Sequence, residues 1–126
     1  MKSLEIVTTY WNDVWNAHDP EALDRFVVDD VVLVASGGQE ISGKENFKNW
    51  IREFLEKVND LHVKDIETFQ NEDGTRVTSR WVLTGTNNGI LSTQPAQEPI
   101  LMTGIAIFAV GEDGKLRRNW VELTSA

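Results

Sequence analysis

Glu122 and Trp120 lie two residues apart near the end of the 126-residue chain, in a segment whose pattern is typical of a β-strand. Side chains alternate between the two faces of a strand, so Trp120, Glu122 and Thr124 share one face. If that face is the inner one, the indole partly desolvates the carboxylate and raises its pKa toward values that suit proton transfer. Glu122 is therefore the candidate general acid or base. The alternative is a surface carboxylate on a terminal strand.

Five tryptophans are a rich supply for a chain of this length. A tryptophan offers a large apolar wall with one N–H donor, which suits a flat or polycyclic ligand. The alternative for each of them is ordinary core packing. We expect Trp81 and Trp120 to contact a ligand, with Trp11 next, and Trp15 and Trp50 to belong to the core.

The segment from residue 99 to residue 110 alternates small and large side chains in a way that distinguishes two faces. One face carries Met102, Gly104, Ala106 and Phe108, and the other carries Leu101, Thr103, Ile105 and Ile107. A face thinned to glycine and alanine leaves room for a pocket or for strong bending, so we expect Met102 to contact a ligand there and Thr124 to do so from the last strand. The β-branched face suits an outer or dimer surface, because obligate interfaces tend to be apolar.

Metal and thiol chemistry have little support in this sequence. The chain has no cysteine, which excludes a disulfide framework, a thiolate nucleophile and a cysteine zinc site. His18 and His62 are its two histidines, and neither belongs to an acid cluster with ligand spacing. We therefore expect neither a metal nor a cofactor.

The charge balance argues against polyanionic partners. Twenty acidic against 12 basic residues give a net charge of −8, which repels phosphate backbones and anionic lipid headgroups. The chain has no apolar run of membrane-spanning length and no secretory signal pattern at its start. We expect no nucleic-acid partner, no membrane association and a cytoplasmic location.

The periodicity changes from helical to strand-like along the chain. It predicts helices over residues 3–17 and 20–26, a strand over residues 31–34, and a helix that begins at a capping box formed by Ser42 and Glu45. Strands follow over residues 61–69, 76–87, 99–110 and 115–124. Helices followed by an antiparallel meander indicate an α+β fold, and the length indicates one domain over residues 1–126.

Several pieces of the sequence occur in an order that resembles a known family. They are Tyr10-Trp11 to Asp19, Leu23 to Asp30, the helix after Gly43, Arg80-Trp81 to Thr86, Gly104 to Phe108, and Asp113 to Trp120. This order resembles the SnoaL-like polyketide cyclases and the wider superfamily of nuclear transport factor 2. The resemblance implies a cone, in which a bent antiparallel sheet wraps around the N-terminal helices and encloses a blind apolar cavity. It also implies a homodimer that pairs through the outer sheet face.

The family's functional positions are only partly filled. Trp120 matches the tryptophan of the family's last strand and Glu122 matches an acidic or polar position, whereas the general acid/base aspartate of the cyclases falls on Thr124. The phenol, base and neutral acid of the related ketosteroid isomerases fall near Trp11, Ala35 and Gly104. The acids and bases that these cyclases and isomerases use are therefore absent from the corresponding positions of this chain.

Two functional hypotheses follow. The first is an apolar, tryptophan-lined cavity that binds a small carbonyl-bearing organic molecule, in which Glu122 transfers a proton in a cofactor-independent cyclisation, isomerisation or hydration. The second is a ligand-binding or scaffold domain without chemistry. The pKa of Glu122 distinguishes them, because proton transfer requires a value well above about 4.3.

Overall fold

The computed structural model describes residues 2–125. The chain opens with α1 (Ser3–Tyr10), a π-helix (Trp11–Asn16) that continues it, and a 3₁₀ helix (Pro20–Arg25). There follow β1 (Val27–Ala35), β2 (Gln39–Ser42), α2 (Lys44–Lys57), β3 (Val58–Gln70), β4 (Arg76–Asn87), β5 (Pro99–Val110) and β6 (Leu116–Ser125). The expected α+β fold, with a curved sheet around N-terminal helices, is confirmed.

The six strands form one sheet in the order β2-β1-β6-β5-β4-β3. Strands β3 to β6 make the predicted antiparallel meander. Strand β1 joins β6 in parallel, and the short β2, which the sequence did not predict, pairs antiparallel with β1 at the edge. The N-terminal strand is thereby fixed against the C-terminal one.

The helices cover one face of this sheet. Along β5, Met102, Gly104, Ala106 and Phe108 are buried under the helices while Leu101, Ile105 and Ile107 are exposed, which confirms the predicted assignment of faces. Burial of alternate side chains is expected of an antiparallel sheet that is covered on one side only.

Helix α2 begins differently from the prediction. Gly43 occupies the N-cap position with φ of 91°, and no side chain caps the helix, so the capping box of Ser42 and Glu45 does not form. Instead the amide of Asn46 donates to the Ser42 carbonyl at 2.9 Å. A glycine adopts this left-handed backbone without the steric cost that a Cβ would impose.

A buried lysine of α2 forms ion pairs with the 3₁₀ helix. Lys48 is only 4% exposed, and its Nζ lies 2.7 Å from Asp24, 3.1 Å from Glu21 and 3.4 Å from Glu45. Arg52 pairs with Glu21 on the next turn of α2. A charge is tolerated in a protein interior only when it is paired, so the ion pairs of Lys48 are explained by the burial of its ammonium group between the two helices.

Candidate functional site

The space between the helices and the sheet is a small aromatic cavity. The lining residues come from all sides of the fold: Tyr10, Trp11, Trp15, Trp50, Phe54, Val63, Trp81, Leu83, Asn119, Val121 and Leu123. The empty space between their atoms is about 350 Å³ including the part open to solvent, but only about 20 Å³ admits the centre of a water molecule. As long as the lining side chains keep these positions, the cavity has room for roughly one water molecule. Any larger ligand has to displace lining side chains.

The π-helix positions two of these aromatic residues. Its wider turn is visible in backbone hydrogen bonds from Ala17 to Asn12 and from Asp19 to Val14, each spanning five residues. Side chains five apart consequently meet, and Trp15 Nε1 donates to the Tyr10 hydroxyl oxygen at 2.9 Å. Segments of π-helix are rare and often occur at functional sites.

Tyr10 contributes a hydroxyl group to the helical side of the cavity wall. Its side chain is buried, and burial raises the pKa of the phenol well above its usual range, so the hydroxyl stays protonated at neutral pH. Because its oxygen accepts from Trp15, the hydroxyl proton remains available to an acceptor in the cavity.

Trp81 and Asn119 bring two further donors from the sheet. Trp81 is 3% exposed and Asn119 is 2% exposed. Their nitrogens, Trp81 Nε1 and Asn119 Nδ2, are shielded from solvent and have no hydrogen-bond partner within residues 2–125. A buried donor without a partner costs about 1–3 kcal/mol, so both groups gain when an acceptor enters.

Trp11 presents only its ring to the cavity. Its Nε1 donates to Ser79 Oγ at 3.0 Å, and Ser79 Oγ donates to Asp65 Oδ1 at 3.2 Å. Thr68 hydrogen-bonds to the same carboxylate. The indole N–H of Trp11 is thus satisfied inside the protein, in contrast to that of Trp81.

Of the ligand-contact residues predicted from the sequence, Trp11 and Trp81 lie in the cavity wall. Trp15 and Trp50, which we expected to be core residues, line it as well. Met102 is buried on the inner face of β5 but is not among the lining residues.

The predicted position of Glu122 is wrong. On β6, Asn119, Val121 and Leu123 line the cavity, whereas Glu122 is exposed on the outer face opposite Ile105. Trp120 and Thr124 share that outer face, so the expected inner surface of Trp120, Glu122 and Thr124 faces away from the cavity. No carboxylate and no histidine belongs to the cavity wall as the described residues form it.

An irregularity in β6 precedes these residues. Ala109 pairs with Arg118 and Val110 pairs with Leu116, so Arg117 is one residue too many for the ladder. An extra residue reverses the alternation of side chains beyond it. Leu116 is therefore buried, although Trp120, four residues later, lies on the outer face.

Trp120 makes its own contacts outside the cavity. The guanidinium carbons of Arg76 and Arg118 lie 5.8 Å and 5.4 Å from its ring centroid, within the range of a cation–π interaction. In the sheet it lies opposite Ile107, which is 39% exposed. The ring belongs to the outer apolar surface.

The sequence reasoning missed Tyr10 and Asn119. Tyr10 lies within the first predicted helix, and the change from α- to π-geometry after it brings its hydroxyl to Trp15. Asn119 was missed because the face of Trp120, and not the opposite one, was expected to be the inner face. A signal did exist, since Asn119, Val121 and Leu123 alternate in the sequence next to the charged and polar set of Arg118, Glu122 and Thr124.

Residues 2–125 contain neither a metal-binding cluster nor a membrane-spanning helix. No group of three or more His, Asp or Glu side chains there has an arrangement that could hold a metal ion. None of the helices in that range is long and apolar enough to cross a membrane.

Comparison with known proteins assigns the family. Residues 7–119 match the model of the SnoaL-like domain, and the chain therefore belongs to this family. No curated protein sequence matches the chain significantly.

Solved structures share the fold at low sequence identity. A SnoaL-like polyketide cyclase from Agrobacterium tumefaciens superposes with a TM-score of 0.83 at 19% identity, covering 98% of this chain and 92% of its own. SalBIII, an epoxide hydrolase/cyclase-like enzyme of pyran ring formation in the polyether salinomycin, gives 0.81 at 16% identity and covers 97% and 90%. A protein with a ketosteroid isomerase-like fold from Catenulispora acidiphila, in complex with trimethylamine, gives 0.77 at 20% identity and covers 93% and 83%.

Proposed function

We propose that this protein binds a small, mostly apolar, carbonyl-bearing organic molecule in its aromatic cavity. The observation that carries the proposal is the composition of the wall, in which aromatic rings surround a few uncharged polar groups. Binding sites for small molecules are generally of this kind, with apolar walls and a small number of oriented donors and acceptors.

The rim of the cavity supports entry of a ligand. Trp50 and Leu123 are only partly buried, whereas Trp11, Trp15 and Trp81 are almost completely covered. Trp50 contacts the rings of Trp15 and Phe54 at centroid distances of 5.7 Å and 5.5 Å. Rotation of the Trp50 and Leu123 side chains would widen the space without breaking a strand pairing.

Binding without chemistry is favoured over catalysis because the described cavity wall contains no general base. The second candidate function is a cofactor-independent enzyme of the isomerase, hydratase or cyclase type. The neutral phenol of Tyr10 favours it, since a buried donor can polarise a carbonyl group. SalBIII, the epoxide hydrolase/cyclase-like enzyme of pyran ring formation, has the same fold, which supports this second candidate.

Calorimetric titration with acetophenone tests the binding proposal. Leu123→Trp should fill the cavity and weaken binding at least about tenfold. Thr124→Trp, which adds an indole to the outer face of the same strand, is the matched control and should bind like the parent. Glu122→Gln should do the same. Equal binding by the parent and Leu123→Trp would overturn the proposal.

Hydrogen–deuterium exchange at the methyl group of acetophenone separates the two candidates. A binding protein should not accelerate exchange over buffer, because removal of the proton requires a base beside the ligand. Acceleration that disappears in Tyr10→Phe would favour the enzyme.

The outer face of the sheet suits a homodimer. Leu101, Ile105 and Ile107 are 45%, 49% and 39% exposed on one strand, beside the Trp120 ring on β6. Contiguous apolar surface of this kind commonly marks an interface. The net charge of −8 remains unfavourable for a nucleic-acid partner or an anionic membrane surface.

A further inference from the structure

We infer that Trp81 Nε1 and Asn119 Nδ2 form a donor subsite that selects ligands by an acceptor oxygen, as in a ketone or quinone, over hydrocarbons of the same shape. The inference rests on the proposed function and names the residues that give it chemical specificity. Neither nitrogen has a partner within the described part of the chain, and both residues line the same cavity.

The position of each donor is fixed by the fold. Trp81 lies on β4 opposite Gly104, and the missing side chain at Gly104 makes room for its indole. Asn119 lies on β6 opposite Phe108, whose side chain is completely buried. A donor that is held in place by packing loses little entropy when it binds an acceptor.

Two other indole N–H groups of the wall are already occupied, which leaves Trp81, Asn119 and the Tyr10 hydroxyl as its buried donors. Trp11 and Trp15 already use their indole N–H groups, bonded to Ser79 and Tyr10. A carbonyl oxygen has lone pairs that accept hydrogen bonds and brings no hydrogen of its own, so it can satisfy one of the unpaired donors, and a ligand with two carbonyl groups can satisfy both. A hydrocarbon leaves both donors buried and unsatisfied, and a site built to hydrogen-bond discriminates strongly against such an analogue.

Acetophenone and α-methylstyrene test this selection, since they differ only in a C=O group against a C=CH₂ group. The parent protein should bind acetophenone at least about tenfold more tightly in calorimetric titration, even though α-methylstyrene is the more apolar molecule. Asn119→Leu, which keeps the side-chain size, should lose most of this preference. Leu83→Val, which changes an apolar part of the wall and removes no donor, should alter both affinities equally and leave their ratio unchanged.

The indole N–H of Trp81 gives a readout that needs no substitution. In a ¹⁵N-labelled sample its proton resonance should move downfield on addition of acetophenone and hardly move with α-methylstyrene. Equal or tighter binding of α-methylstyrene by the parent, or no hydrogen-bond shift at Trp81, would overturn the subsite while the binding function stands. Failure of both probes to bind would overturn the binding function itself and the subsite with it.

Discussion

The indole ring of Trp81 lies against the backbone of Gly104, its direct partner on the neighbouring strand. A Cβ at position 104 would come within 2.2 Å of Cζ2 of the indole, a distance that non-bonded carbon atoms do not tolerate. The sequence indicated that the glycine leaves room on the inner face of β5. That room is occupied by the tryptophan, and the cavity lies beyond it.

We expect Gly104→Ala to destabilise the protein by about 1–3 kcal/mol, because the added methyl group pushes Trp81 out of its place. Ligand affinity should fall as well, since the displaced ring enters the cavity. Urea unfolding and acetophenone titration measure the two effects. Thr103→Ala on the outer face of the same strand is the control. If the Gly104→Ala variant is as stable as the parent, the packing described for Trp81 is contradicted.

The alternation of β5 was predictable because nothing interrupts it over residues 99–110. On β6 the alternation was predictable too, since Trp120, Glu122 and Thr124 do share one face, but that face is the outer one. Alternation alone does not say which face of a strand is covered, and the tryptophan that suggested the core packs beside Ile107 on the outer surface instead. Tyr10 was missed for a related reason. Apolar spacing predicts a helix but does not distinguish α- from π-geometry, and the contact with Trp15 depends on that difference.

The homodimer proposal predicts that the oligomeric state depends on Ile107. The parent should sediment at micromolar concentration near twice the chain mass of 14.2 kDa. Ile107→Glu should give a monomer, because a carboxylate beside Trp120 would lose its hydration in the interface. Glu72→Lys, in the exposed turn between β3 and β4, should leave the dimer intact. A monomeric parent would contradict the proposal directly.

The cluster around Lys48 predicts a loss of stability in acid. Hydrogen bonds from Lys48 hold the pKa values of Glu21 and Asp24 below their usual range. Carboxylates with lowered pKa in the folded state stabilise it at neutral pH, and this contribution disappears as the pH falls through the unfolded values near 4 toward the folded ones.

Lys48→Met tests the origin of this dependence. Without the ammonium group the two carboxylates should titrate closer to their usual values, so the free energy of unfolding should fall less steeply between pH 5 and about pH 3 than in the parent. Urea unfolding across this range measures both slopes. Lys57→Met removes a charge that belongs to no ion pair within the described residues, and should retain the slope of the parent.

Tyr10 is the one tyrosine of the chain, so the near-ultraviolet absorbance of tyrosinate reports on it alone. Because burial raises its pKa, the folded protein should show no ionisation as the pH passes about 10, the usual value for tyrosine.

The tyrosine of the unfolded chain does ionise near pH 10. A group whose pKa is raised on folding costs stability as the pH rises above its unfolded value, so ionisation should coincide with unfolding. Ionisation in urea near pH 10 is the internal control, and Tyr10→Phe should lose less stability than the parent over the same alkaline range. If Tyr10 ionises near pH 10 while circular dichroism shows the fold intact, water reaches the phenol, and a neutral donor at this wall of the cavity is excluded.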